Sequence, residues 1–332
     1  MTDTKGLIGQ TLIGRYTIES YLNAGGMQEV YIANDATFSR KVAIKTPIDE
    51  RTQKRFKRSA VVSAQVTHNN VAKTLDFIEQ SGRQFLVEEL VDGPNLSDYQ
   101  DQFSCLDPHL ASFIFQMITG GLAAAHHRGI IHRDLKPSNI IVSRGHGFSD
   151  VKITDFGVAK MAEEELIEGI EGGEETMTGS KTVIGALPYM SPEMITDTRS
   201  ATQKTDVWSC GALLYYMITG EYPFGSGLSA VNKIITSTNP PELPQKDYHD
   251  SINFRSLIKS LKSIIDSCLE KKPENRPTAD QLYSLSSELC YSKSKREVGF
   301  IKNGYTDLMV DGAPSPHQSD TTLRWLIDRL RS

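Results

Sequence analysis

The chain has 332 residues, of which 23% are charged and 39% hydrophobic; 36 Lys and Arg stand against 41 Asp and Glu, a net charge of −5. That length suggests about two domains of ~150 residues, and the composition excludes a disordered, collagenous, coiled-coil or disulfide-scaffold protein. The acidic balance argues against a protein built mainly to grip nucleic acid.

From Tyr16 to Leu90 the pattern is strand-like, with short β-branched or aromatic runs at Tyr16–Glu19, Glu29–Asn34 and Lys41–Lys45 separated by turn residues. A basic stretch, Arg51–Arg58, runs into Ala60-Val61-Val62-Ser63-Ala64 and predicts one helix. Asp92-Gly93-Pro94-Asn95 is a breaker. Beyond it, helices are predicted at Pro108–Arg128, Lys204–Thr219, Phe254–Glu270 and Thr278–Leu289, so a small β-rich part precedes a larger α-rich part with a boundary near residue 92. Ala162–Glu175 holds seven glutamates and three glycines and reads as a solvated loop. After residue 290 the chain is polar until Asp320, beyond which Leu323, Leu326, Ile327 and Leu330 fall at helical spacing.

Cys105, Cys210, Cys268 and Cys290 lack the short spacings of metal or redox motifs, which predicts reduced thiols in a cytoplasmic protein. The N-terminus, Met1–Gln10, has no apolar run behind a basic start, so no signal peptide is expected. Leu110–Ala125, the most apolar stretch, is too short and too polar to span a bilayer and predicts a buried helix.

The strongest signal is His132-Arg133-Asp134-Leu135-Lys136-Pro137-Ser138-Asn139. Asp155-Phe156-Gly157 begins sixteen residues after Asn139, Ser191-Pro192-Glu193 follows, and Val42-Ala43-Ile44-Lys45 lies upstream. In this order the motifs resemble the protein-kinase signature set. The resemblance covers about residues 15–290, and Ala24-Gly25-Gly26-Met27 with Tyr189-Met190-Ser191-Pro192-Glu193 is similar to the bacterial Hanks-type (eukaryotic-like) serine/threonine branch. It implies an α+β, two-lobed fold. A small antiparallel-sheet N-lobe with one main helix would span about 16–92, and a mostly helical C-lobe about 93–290. An N-terminal extension, 1–15, and a tail, 291–332, with a short amphipathic helix would flank them.

The same resemblance implies transfer of the ATP γ-phosphate to protein Ser/Thr hydroxyls. Such chemistry needs negative oxygens held still and partly neutralised, with a hydroxyl aimed at phosphorus. Asp134 would orient the hydroxyl and accept its proton, and Lys136 would steady the γ-phosphate. Lys45, on the third strand, would hold the α- and β-phosphates. Leu22, Asn23, Ala24, Gly25, Gly26, Met27, Gln28, Val30, Ala43, Glu88 and Glu89 would complete the nucleotide site. Asn139 and Asp155 would hold Mg2+, or Mn2+ in its place, as hard oxygen ligands suit a hard cation. Asp206 would brace the catalytic loop, and Glu193 would pair with Arg276. The implied partners are protein substrates, with a soluble regulator or a homodimer left open, and neither nucleic acid nor membrane.

Three departures stand out. The loop Asn23-Ala24-Gly25-Gly26-Met27-Gln28 keeps only the middle glycine of G-x-G-x-x-G, which predicts weaker ATP binding. Ser59 occupies the helix position where the family carries a glutamate for Lys45. Glu88, at the back of the nucleotide pocket, either takes over that pairing, since a buried unpaired carboxylate is costly, or faces solvent through a register shift. Finally, Gly185-Ala186 stands where the family has Gly-Thr, so Asp134 is expected to be less firmly placed. Arg133 implies regulation by phosphate on the activation segment, with Thr176, Thr178, Ser180 and Thr182 as candidates; the acidic run is either a partial stand-in or only a solvated loop. The terminal stripe either docks a partner or packs back on the larger lobe. The main rival is a pseudokinase acting as a nucleotide-binding or scaffold module; a weaker one transfers phosphate to something other than protein.

Overall fold

The computed structural model describes residues 6–24, 28–48, 53–103, 105–142, 151–156, 185–237, 241–243, 252–294 and 309–310. Alternating apolar runs become strands because one face can be buried. β1 (Thr11–Leu12), β2 (Tyr16–Ala24), β3 (Gln28–Asp35), β4 (Arg40–Pro47), β5 (Thr74–Gln80) and β6 (Arg83–Glu89) form one antiparallel sheet in the order β1-β2-β3-β4-β6-β5. Tyr16, Ile18, Tyr31, Ala33, Val42, Ile44, Phe85 and Val87 fill its core face. Leu7 and Leu12 are buried with them, so residues read as an N-terminal extension contribute a strand and core side chains. Because β1 comes first, Lys45 lies on the fourth strand in chain order, not the third.

Helix α1 (Gln53–Ser63) packs Phe56 and Ala60, one turn apart, against Leu86 and Phe77 of the sheet. The breaker at 92–95 ends in a cap: Asn95 Oδ1 accepts from Asp98 N (3.0 Å) while Asp98 Oδ2 accepts from Asn95 N (3.1 Å). This starts α2 (Leu96–Phe103), followed by the two-residue β7 (Cys105–Leu106). Asp107 caps α3 (Pro108–His127), with Pro108 in its first turn. As its apolar sequence predicts, α3 is largely buried. Gly121 on α3 lies where any Cβ would come within 2.8 Å of the Asn70 carbonyl, so glycine lets the 68–71 segment close on the helix.

A short hairpin follows, with β8 (Ile140–Val142) antiparallel to β9 (Val151–Ile153). Asn70 O accepts from Ile153 N (2.9 Å) and Ile153 O from Ala72 N (2.8 Å), which ties the small lobe to this hairpin. The larger lobe continues with α4 (Pro192–Thr196), α5 (Gln203–Thr219), α6 (Leu228–Thr236), α7 (Ile252–Cys268) and α8 (Ala279–Ser294). β10 (Met309–Val310) pairs antiparallel with β7. The stripe at 323–330 and the acidic run at 162–175 lie outside the described residues. Among those described, no helix is long and apolar enough to cross a membrane.

The helical lobe is pinned by one buried arginine. Arg276 donates to both Glu193 oxygens (2.6 and 2.8 Å) and to the carbonyls of Glu270 (2.7 Å), Lys204 (2.9 Å) and Lys271 (3.2 Å). All five guanidinium N–H groups are thereby used, and the fork lies over the Trp208 ring. Burial pushes the Glu193 carboxyl up, but Arg276 outweighs it and holds the pKa below the ordinary 4.5.

Two predictions follow from this packing. A depressed carboxylate contributes stability that is complete above its unfolded value and is lost as pH falls through its folded one. Glu193→Gln should therefore be less stable near neutrality and lose less on acidification below about 4.5, read by urea unfolding across pH. A Cβ on Gly211 of α5 would sit 2.5 Å from Cys268 Cβ, so Gly211→Ala should cost about 1–3 kcal/mol; an unchanged thermal midpoint would contradict the α5–α7 packing.

Candidate active site

In an antiparallel pair, directly opposed residues share a face. The register pairs Val30 with Lys45, Ala43 with Glu88, and Lys45 with Leu86. Val30, Ala43, Lys45 and Glu88 therefore lie together on the face opposite the sheet core, and Gln28, two residues before Val30, joins them. Lys45 and Glu88 are diagonal neighbours on adjacent strands, with Nζ 2.6 Å from Oε2 and side chains only 7% and 4% exposed. Of the two arrangements open for Glu88, the buried, paired one is present. Ser59 is buried, and its hydroxyl donates to Phe56 O (3.1 Å) within its own helix.

The remaining candidates divide. Leu22 is exposed and sits at a register shift between Tyr21 and Asn23; Asn23 and Ala24 are exposed as well. Gly25, Gly26 and Met27 lie outside the described residues, as do Thr176, Thr178, Ser180 and Thr182. Glu89 directs its carboxylate to Lys73 N (2.8 Å) and to Lys152 Nζ (3.0 Å).

The larger lobe supplies the other half. α5 carries Asp206, fully buried. Its Oδ1 accepts from Arg133 N (2.7 Å), and its Oδ2 accepts from His132 N (2.8 Å) and His126 Nε2 (2.8 Å). These bonds hold Arg133 at φ 67°, a left-handed conformation costing on the order of 1–3 kcal/mol for a non-glycine residue. His132 donates from Nε2 to Thr154 O (2.8 Å), leaving Nδ1 to accept from Asp134 N (3.2 Å). Its ring meets Phe156 edge-on at 4.6 Å. Thr154 N in turn donates to Asn139 O (2.9 Å).

The loop between them converges on Asp134. Oδ2 of Asp134 receives Lys136 Nζ at 2.8 Å and Asn139 Nδ2 at 3.1 Å. Asn139 Nδ2 also donates to Asp134 O (2.8 Å), so the amide nitrogen turns to Asp134 and leaves the side-chain carbonyl oxygen as the group uncommitted to it. Ala186 packs with Leu187 and Met190 in an apolar cluster, and the Lys136–Asp134 contact forms without a threonine there.

The two halves meet at Asp155, at φ 64°. Its Oδ1 accepts from Lys45 Nζ (2.9 Å) and from Gln28 Nε2 (2.6 Å); Oδ2 accepts from Thr154 Oγ1 (3.3 Å). Burial opposes the charge on Lys45, but Asp155 and Glu88 overcome it and raise its pKa above the ordinary lysine value. Burial and the neighbouring Asp155 charge push Glu88 up, despite Lys45. Burial also opposes ionisation of Asp155, yet Lys45 and the Gln28 amide hold its pKa low.

Glu88 and Asp155 thus share the Lys45 ammonium, and the Asp155 carboxylate and the Asn139 side-chain carbonyl are the hard oxygens of the site. That donor set fits Mg2+, which favours one or two protein oxygens completed by phosphates over an all-protein cage. No cluster of three His, Cys, Asp or Glu is gathered among the described residues. Sequence reasoning missed Thr154 and His126, and it missed the bond from Gln28 to Asp155, because nothing in the sequence pattern reveals contacts between residues 22, 80 and 127 positions apart.

The sequence profile of the protein kinase domain matches residues 16–286, and the chain belongs to that family. It is 31% identical over 275 residues to serine/threonine-protein kinase PrkC of Bacillus subtilis (strain 168), covering 81% of this chain and 39% of that protein. To the probable serine/threonine-protein kinase PknB of Lactococcus lactis subsp. lactis (strain IL1403) it is 36% identical over 270 residues, covering 77% and 40%. To serine/threonine-protein kinase pkn3 of Myxococcus xanthus it is 28% identical over 326 residues, covering 96% and 57%. The chain therefore spans less than two thirds of the length of these relatives.

Stranding one member of a buried ion pair typically costs ~3–5 kcal/mol. Asp155 would remain for Lys45, so Glu88→Leu should destabilise by a smaller amount, about 2 kcal/mol, in urea titration. An unshifted midpoint would contradict the pairing.

Proposed function

We propose that the chain is an ATP-dependent protein serine/threonine kinase. The observation that carries this reading is the convergence of Lys45, Asp155 and Gln28 at one end of the site with Asp134, Lys136 and Asn139 in a braced loop at the other. Lys45, kept charged by two carboxylates, holds phosphate oxygens. Asn139 and Asp155 would hold Mg2+, or Mn2+ in its place, which would supply positive charge against the phosphates. Asp134 orients the Ser/Thr hydroxyl and accepts its proton as the oxygen attacks the γ-phosphorus and the bond to the β–γ bridging oxygen breaks, releasing ADP, and Lys136 keeps that carboxylate placed while steadying the transferred group. The names of the relatives support protein as the substrate class.

Glu88 is the positioning residue for Lys45, taking the part that Ser59 lacks. The scaffold alternative was motivated by Ser59, Ala186 and the eroded glycine loop, and the Lys45–Glu88 pair supports the catalytic reading by removing the first of these. Val30 and Ala43, on the face they share with Lys45 and Glu88, belong to the nucleotide side in this reading. Autophosphorylation among Thr176, Thr178, Ser180 and Thr182, read through Arg133, is the regulation this reading carries. A cytoplasmic setting is part of the same reading, on the wide sequence spacing of the four cysteines.

Purified chain incubated with Mg-ATP and a Ser/Thr-rich protein acceptor should incorporate phosphate on Ser or Thr, mapped by peptide mass spectrometry. Asp134→Asn should slow this at least about 100-fold while leaving nucleotide binding in place. Equal transfer by that variant, or nucleotide binding with no transfer to protein, would overturn the kinase reading.

A further inference from the structure

β7 is only two residues long, Cys105–Leu106, and both are fully buried. It lies between the end of α2 and the Asp107 cap of α3, and it packs beside α5. Backbone buried in this way needs hydrogen-bond partners for its N–H and C=O groups. Among the described residues the one strand paired with it is β10, with Met309 opposite Leu106 and Val310 opposite Cys105. The packing of α8 brings the tail to that edge. α8 runs antiparallel to α3: Asp280 meets His127 (3.1 Å), Ser287 meets Gln116 (2.9 Å) and Cys290 meets Ser112 (3.9 Å). The last turn of α8 therefore ends beside the first turn of α3, next to β7. From there residues 295–308 give ample chain, at up to ~3.3–3.6 Å per residue, to bring 309–310 onto the edge.

We infer that the β7 edge is a strand-addition site that this chain fills with its own tail, and that the seated tail steadies α2 against the loop that carries Asn139. A strand edge binds an extended segment through main-chain hydrogen bonds and asks little of its side chains. Tethering to α8 makes the pairing intramolecular, so a short ladder holds where a free peptide of that length would not. α2 joins this edge to the catalytic loop. Its C-terminal end runs into β7. Beside its N-terminal end, Pro94 O accepts from Val142 N (3.0 Å) and Asn95 bridges to Ile141. Its body packs beside residues 137–139. The helix is thus held by β8 at one end and by β7 at the other, and β10 completes β7. No ligand of the active site enters this arrangement, which does not depend on the kinase reading.

The test is hydrogen–deuterium exchange of the full chain, read by mass spectrometry, for wild type, Met309→Pro/Val310→Pro and Met309→Leu/Val310→Ile. Proline removes the N–H groups and cannot continue a ladder, whereas the Leu/Ile variant keeps the backbone. Amides at 105–107 are expected to be protected in wild type and in the Leu/Ile variant. In the proline variant they should exchange about tenfold faster, with a smaller acceleration over 96–103 and 137–142 and none within α3 or α5. Unchanged exchange at 105–107 in the proline variant would overturn the inference. Loss of protection in the Leu/Ile variant would overturn it too, since side-chain fit and not strand pairing would then be responsible. Acceleration confined to 105–107 would remove the link to Asn139. Protection that falls on dilution, with a dimer in sedimentation, would assign the strand to a second copy and overturn the seat within one chain.

Discussion

Lys45 is buried between two carboxylates, and the architecture around it follows from keeping that ammonium charged. An ammonium removed from water is stable only if opposite charge is placed against it with good geometry. One of its partners is local to the sheet: Glu88 lies on the strand next to β4, and the register that seals the apolar core also sets the Lys45–Glu88 diagonal. The other partner, Asp155, comes from the larger lobe. The pair with Glu88 is thus a property of the sheet's register and does not depend on where α1 sits. Ser59 of α1 is consequently free of any requirement for charge and uses its hydroxyl inside its own helix.

The second constraint is the brace behind the catalytic loop. A left-handed Arg133 persists only where the surroundings over-determine it, and Asp206 does so by taking two consecutive backbone N–H groups as well as His126. Through His132 and Thr154 this brace reaches Asn139 and the residue before Asp155. Asp134, Asn139 and Asp155 are thereby referred to one buried carboxylate on a buried helix, and a mainly apolar core fixes that helix in turn. Arg276, with every donor used, plays the corresponding part for the segment that begins at Ser191.

Much of this was legible in the amino-acid order. Alternation over 16–90 and 3.6-residue periodicity beyond 108 predict a sheet lobe and a helical lobe, because burial of one face follows directly from side-chain spacing. The contiguous motif from His132 to Asn139 likewise carries its own geometry, since its members are brought together by a single loop. Sequence placed Glu88 as a candidate partner for Lys45 but left its side undecided, because a one-residue slip in a strand reverses its faces. It also overlooked β1, whose two residues are too few to show a period.

What sequence alone determined, then, is the family, the two-lobed division and the identity of the groups in each local segment, all of which depend on neighbours along the chain. Tertiary structure decided which groups share an oxygen. Gln28 and Lys45 on Asp155, Thr154 beneath it, and His126 with the His132–Arg133 backbone on Asp206 are contacts between distant segments. Their geometry is fixed by strand register and helix packing rather than by spacing, and only folding brings those donors to a common acceptor.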